Sequence, residues 1–233
     1  MKLPAPSRKV RLALSILFLL FSLVFYWWAS GSPMPIPDLA RRTSLLSHGF
    51  TPGPVEVQGK IQFQELFPQD EGKRWFISRQ GDGWAVTVLF NAGPFWFRPN
   101  ADVYLFTSSA DVPFDAVILQ LSSGYLWDGT GENPFGDSEQ RDEVVTLVVC
   151  TLPDAARVEL YQGWYRSNAS DNCSPQDWLL EYGSAADCTR LSPDSPFWLC
   201  QQVWNPGDGA GITLARAYDA QGNLLCEWCS YDV

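Results

Sequence analysis

The chain reads as an all-β protein, an antiparallel β-sandwich or partly open barrel with one short helix near 175–182, preceded by an N-terminal transmembrane helix. Three observations point there. Residues 12–29, LALSILFLLFSLVFYWWA, carry no charge. From Val55 onward the apolar side chains recur with period two, Val55, Val57, Ile61 and Phe63 alternating with Glu56, Gln58, Lys60, Gln62 and Gln64, which is the pattern of a half-buried strand. Beyond it, short runs of β-branched and aromatic residues are separated by Gly, Pro, Asn or Asp, a spacing that suits strands and turns.

At about 1.5 Å per residue, 12–29 reaches roughly 27 Å, enough for the hydrocarbon layer of a bilayer. Tyr26, Trp27 and Trp28 stand where an interfacial aromatic belt lies. Lys2, Arg8, Lys9 and Arg11 precede the span without an acid among them, so residues 1–11 are expected to form a basic cytoplasmic tail and 55–233 an extracytoplasmic domain. Ala29 and Gly31 before Ser32 also resemble a signal-peptidase site, and cleavage there would make the protein secreted instead of anchored. Pro33, Pro35, Pro37, Pro52 and Pro54 mark 30–54 as a tether. Within it, 38–47 is expected to form a short helix ended by Gly49, with Leu39, Arg42, Leu45 and Leu46 as its apolar stripe.

In the β domain, 75–79 and 84–90 flank Gly81-Asp82-Gly83, where glycine supplies the positive φ of a tight hairpin. Further strands are expected near 102–107, 115–121, 144–150, 156–161, 197–204, 212–218 and 224–228, with Gly222 turning the last pair. The helix near 175–182 has Ser174 as N-cap, Pro175 in its first turn, Asp177 at the third helical position and Gly183 as its stop.

Composition limits the chemistry. Sixteen Lys+Arg against 26 Asp+Glu is the wrong sign for a nucleic-acid partner, and setting aside the four basic residues of the tail leaves 12 against all 26 acids. His48, the single histidine, lies in the tether, remote in sequence from strands that could orient it for catalysis. No nucleotide or cofactor motif is present, since 205–211 carries acid where a phosphate loop carries Lys. Asp128, Thr130, Glu132 and Glu139 place oxygens at four positions of a calcium-type loop, but Asn133 occupies the position that requires Gly. Cys150, Cys173, Cys188, Cys200, Cys226 and Cys229 crowd the C-terminal part, an even set in an exported chain, which predicts disulfides. Six cysteines allow fifteen pairings, and spacing does not choose among them. Cys226-Glu-Trp-Cys229 also has CxxC spacing, without a second CxxC to complete a zinc site.

Nine Trp remain beyond the span, more than packing requires, and two sit in aromatic clusters suited to contact with a ligand: Trp96 in Pro94-Phe95-Trp96-Phe97, and Trp164 beside Tyr161 and Tyr165. The expectation is a membrane-anchored, non-catalytic binding module for protein or glycan. The competing class is a surface glycoside-type hydrolase using paired carboxylates.

Overall fold

The structure is a computed structural model and describes residues 8–29, 34–61, 73–89, 102–106, 113–126, 139–165, 173–204 and 210–230. In chain order the elements are α1 (Arg8–Ala29), α2 (Pro37–Ser47), β1 (Val55–Lys60), β2 (Arg74–Gln80), β3 (Gly83–Leu89), β4 (Asp102–Phe106), β5 (Phe114–Leu126), β6 (Glu139–Cys150), β7 (Arg157–Tyr165), α3 (Pro175–Tyr182), β8 (Ser184–Asp187), β9 (Thr189–Arg190), β10 (Phe197–Trp204), β11 (Ala210–Tyr218) and β12 (Leu224–Cys229). The protein is mostly β, and among the described residues every strand pair is antiparallel.

α1 is the one described helix long and apolar enough to cross a membrane, and none of its span is buried against the rest of the chain. An apolar face of that length left open to water has a large hydrophobic cost, which a bilayer removes.

The strands form three four-stranded sheets: a first sheet β1-β2-β3-β4, a central sheet β5-β6-β10-β9 and a third sheet β12-β11-β7-β8. Alternation along β6 and β10 shows how they meet. Val145, Leu147, Val149 and Phe197 share a buried cluster with Trp75, Ile77, Trp84, Val86 and Val88 of the first sheet. Their neighbours Val148, Cys150, Trp198 and Cys200 share another with Val158, Leu160, Ala215 and Ala217 of the third. Successive side chains of a strand point to opposite faces, so the central sheet is covered on both. That explains why Val144 to Cys150 is an almost unbroken apolar run, every residue of it buried.

A helix covers part of each outer face. α2 brings Ala40 against Phe76 and Leu89 of the first sheet, and α3 brings Leu179 against Ile212, Leu214 and Cys229 of the third. The N-cap of α3 is as expected: the Ser174 hydroxyl accepts from the Asp177 N–H at 3.1 Å. α2 departs from expectation. Leu39 and Leu46 are exposed, while Ala40, Arg41, Ser44 and Leu45 are buried. The cause is Arg41, 1% exposed, which donates to the Ser78 hydroxyl (2.7 Å) on β2 and the Gly53 carbonyl (3.1 Å) while Asp38 holds its other edge at 2.7 Å. These bonds turn the polar side of the helix inward. Part of the expected tether is therefore fastened to the first sheet instead of swinging free.

Both glycine turns have the required backbone: Gly81 at φ 57° closes β2 onto β3, and Gly222 at φ 84° turns the chain into β12. Around Gly222, Asp219 Oδ1 accepts from the N–H groups of Gln221 (2.9 Å) and Asn223 (2.8 Å).

Candidate functional site

The space between the central and third sheets changes character along its length. At one end it is apolar and rich in cysteine. At the other, polar side chains cross it in a connected row. The Thr146 hydroxyl on β6 donates to Gln162 Oε1 on β7 (3.0 Å), and Gln162 Nε2 donates to the Thr213 hydroxyl on β11 (3.0 Å). Gln202 Nε2 on β10 donates to the Leu160 carbonyl (2.7 Å), and Trp204 Nε1 donates to Gln202 Oε1 (3.3 Å). All four polar side chains, Thr146, Gln162, Gln202 and Thr213, are buried. A buried amide or hydroxyl is tolerable only when its hydrogen bonds are made, and here two of the four, Thr146 to Gln162 and Gln202 to the Leu160 carbonyl, cross between the two sheets.

Trp164 closes the polar end. Its indole N–H donates to Asp142 Oδ2 at 2.9 Å, and its ring meets the buried Trp204 ring edge-on, with centroids 5.4 Å apart at 82°. Asp142 is 3% exposed, and its Oδ1 has no hydrogen-bond partner among the described residues. Trp164 itself is half-buried, so a ring locked from two sides still shows part of its surface to solvent. Gly211, opposite it on β11, lies within van der Waals reach of both rings, the Trp164 ring at 3.6 Å and the Trp204 ring at 3.8 Å from a Cβ placed there.

The outer face of the third sheet carries a second polar group beyond the edge of α3. Asp187, Glu159, Arg216 and Glu227 follow one another across the four strands. Arg157 pairs with Glu159 at 3.0 Å and Arg216 with Glu227 at 2.6 Å, while the guanidinium groups of Arg157 and Arg216 lie over the Tyr218 and Tyr161 rings. Burial and the neighbouring Glu159 push both phenols above their ordinary range.

The other expected site residues divide. Trp96, and with it Asp128, Thr130 and Glu132 of the calcium-type loop, lies outside the described residues. Glu139 begins β6 opposite Leu126 at the end of β5. Among the described residues no group of three His, Cys, Asp or Glu side chains is placed to hold a metal ion. The adjacent carboxylates Asp142 and Glu143 are both buried, but strand alternation turns them to opposite faces of the central sheet: Asp142 meets Trp164, and Glu143 Oε1 accepts from Gln201 at 2.7 Å. His48 caps α2, its Nδ1 lying 2.8 Å from the Ser44 carbonyl.

Asp142, Trp204 and the Gln162 row were not legible from sequence as one site, because their strands are far apart in the chain. The unbroken run at 144–150 was the available signal that β6 is covered on both faces. No family model, curated protein or solved structure matches the chain.

Proposed function

We propose that the protein is a single-pass membrane protein whose layered β-sandwich body stands outside the cytoplasm and binds a glycan on the exposed surface of Trp164. The observation that carries this reading is the ring itself, oriented by Asp142 and Trp204 and still partly open to solvent. A flat aromatic surface held in one orientation suits the apolar face of a sugar ring, because little rotamer freedom is lost when the ligand arrives. Anchoring rests on α1, and orientation on the basic residues that precede its apolar stretch.

Full-length protein in lipid nanodiscs, screened on a glycan array with two variants, tests the ligand. Trp164→Phe and Trp164→Leu both lose the bond to Asp142, but only Leu loses the aromatic face. Retained binding by Phe together with loss in Leu supports stacking. Equal binding by Leu and the parent protein, or no retained glycan at all, overturns it. The anchor is checked by carbonate extraction, where a mature N-terminus at Ser32 in the soluble fraction would replace anchorage by secretion.

A further inference from the structure

The cysteine spacing reads differently once the faces of the strands are known. Cys226 and Cys229 lie three positions apart on β12, which at roughly 3.3 Å per residue separates them by about 10 Å, beyond the ~7 Å Cα limit for a disulfide. Alternation also turns them apart. Cys226 packs against the cluster between the central and third sheets, and Cys229 belongs to the cluster beneath α3. The CxxC is therefore neither a redox pair nor half of a zinc site, and it divides the six cysteines into an inner and an outer group.

The inner group is Cys150, Cys188, Cys200 and Cys226, all in or against one cluster. Cys188 occupies the corner where the chain leaves β8 in the third sheet and enters β9 in the central one, its N–H donating to the Val158 carbonyl at 2.8 Å. The β9–β10 ladder pairs Arg190 with Trp198 and Thr189 with Leu199, so its next step sets Cys188 opposite Cys200. Residues directly opposite in an antiparallel pair have Cα atoms about 4.5–5.5 Å apart, inside the disulfide range. That leaves Cys150, at the end of β6, and Cys226 as the second inner pair. The outer group is Cys229 and Cys173. The Tyr165 hydroxyl donates to the Cys173 carbonyl at 3.3 Å, while Tyr165 packs in the cluster that contains Cys229.

We infer that the protein matures with three bridges, Cys188–Cys200, Cys150–Cys226 and Cys173–Cys229, formed by exchange with a disulfide donor such as oxidised glutathione or a thiol oxidoreductase. In each, one cysteine thiolate attacks the donor disulfide and expels a thiolate; its partner then displaces the second. One S–S bond forms in the protein, one breaks in the donor, and the donor leaves as two thiols carrying the two protons. Cys188–Cys200 pins the corner between sheets, Cys150–Cys226 joins the central sheet to the edge strand of the third, and Cys173–Cys229 fastens the entry of α3 to β12.

The inference relies on the extracytoplasmic reading only for the source of oxidant, and the experiment separates the two. Reduced full-length protein in detergent is reoxidised in a glutathione buffer, alkylated, digested without reductant and mapped by mass spectrometry. Cleavage after Arg and Glu isolates all six cysteines, since Glu181 lies between Cys173 and Cys188, and Glu227 between Cys226 and Cys229. The expected map holds those three linked pairs. A Cys188→Ser variant is expected to expose one titratable thiol, on Cys200, with the other bridges intact. A peptide linking Cys226 to Cys229, Cys188 joined to any other partner, or six alkylated thiols after reoxidation overturns the pairing. Alkylation in intact cells reports the compartment: thiols there, with the expected map in vitro, would sink the extracytoplasmic placement and uphold the pairing.

Discussion

The two faces of the central sheet are built on different principles. On the face toward the first sheet, Val145, Leu147, Val149 and Phe197 pack in one apolar and aromatic cluster, with Phe197 edge-on to Trp84 at 5.2 Å and 83°, and the bond from Gln201 to Glu143 lies at its margin. On the face toward the third sheet, Thr146, Gln202 and Asp142 are committed to hydrogen bonds. Apolar burial is non-directional and tolerates a small slide of one sheet over the other. The Thr146–Gln162–Thr213 row does not, because a displacement of an ångström or two leaves buried amide and hydroxyl groups without partners. Both faces bury an apolar cluster, and the one toward the third sheet adds a directional hydrogen-bonded row that fixes alignment.

The sharpest way to break this comparison is to remove apolar bulk. Phe197→Ala is expected to cost about 3–5 kcal/mol in urea unfolding, since it opens a cavity beside Trp84 and first-sheet side chains have no route to fill it. A loss below about 1 kcal/mol would show that this face is less tightly packed than its burial implies.

An intermediate effect is expected on the polar face. Gln162→Leu conserves volume and adds apolar surface but removes both bonds that join Thr146 to Thr213, so unfolding free energy is expected to fall by about 1–3 kcal/mol. Hydrogen exchange sharpens the contrast: amides of β6 and β7 lose protection together if the row aligns the sheets. A stability equal to the parent protein would mean that apolar packing aligns both faces.

The smallest effect belongs to the docking of α2. Burial opposes the charge of Asp38, but the guanidinium groups of Arg41 and Arg42 outweigh it and hold its carboxyl below the ordinary carboxylate range. A folded pKa below the unfolded one contributes stability above the unfolded value and loses it as the pH falls through the folded one. Asp38 is 44% exposed, so the contribution is expected to stay within about 1 kcal/mol. Asp38→Asn is expected to lower the neutral-pH thermal midpoint slightly and to flatten its decline below about pH 4. An unchanged acid profile would remove Asp38 from the account.

How much of this was legible follows the range of each interaction. The apolar span, the Gly81 and Gly222 turns and the Ser174 cap of α3 depend on residues within a few positions of one another, and all are readable in the sequence and present in the structure. Most strands were readable for the same reason, since period two and β-branched content are local. β8 and β9 were not: a strand of four residues and one of two carry too little pattern, and they exist because β7 and β10 offer edges to pair with.

By itself, then, the sequence determined an acidic β chain behind an apolar helix, with its turns in place, because those properties are sums over neighbouring residues. Tertiary structure decided that β6 and β10 would be covered on both faces, that Arg41 rather than Leu46 would turn inward, that Asp142 would meet Trp164, and that Cys226 and Cys229 would face apart. Each of these depends on which strands lie side by side. Period two tells two faces of a strand apart but leaves open which sheet each face will meet, because the partner that covers it lies tens of residues away in the chain.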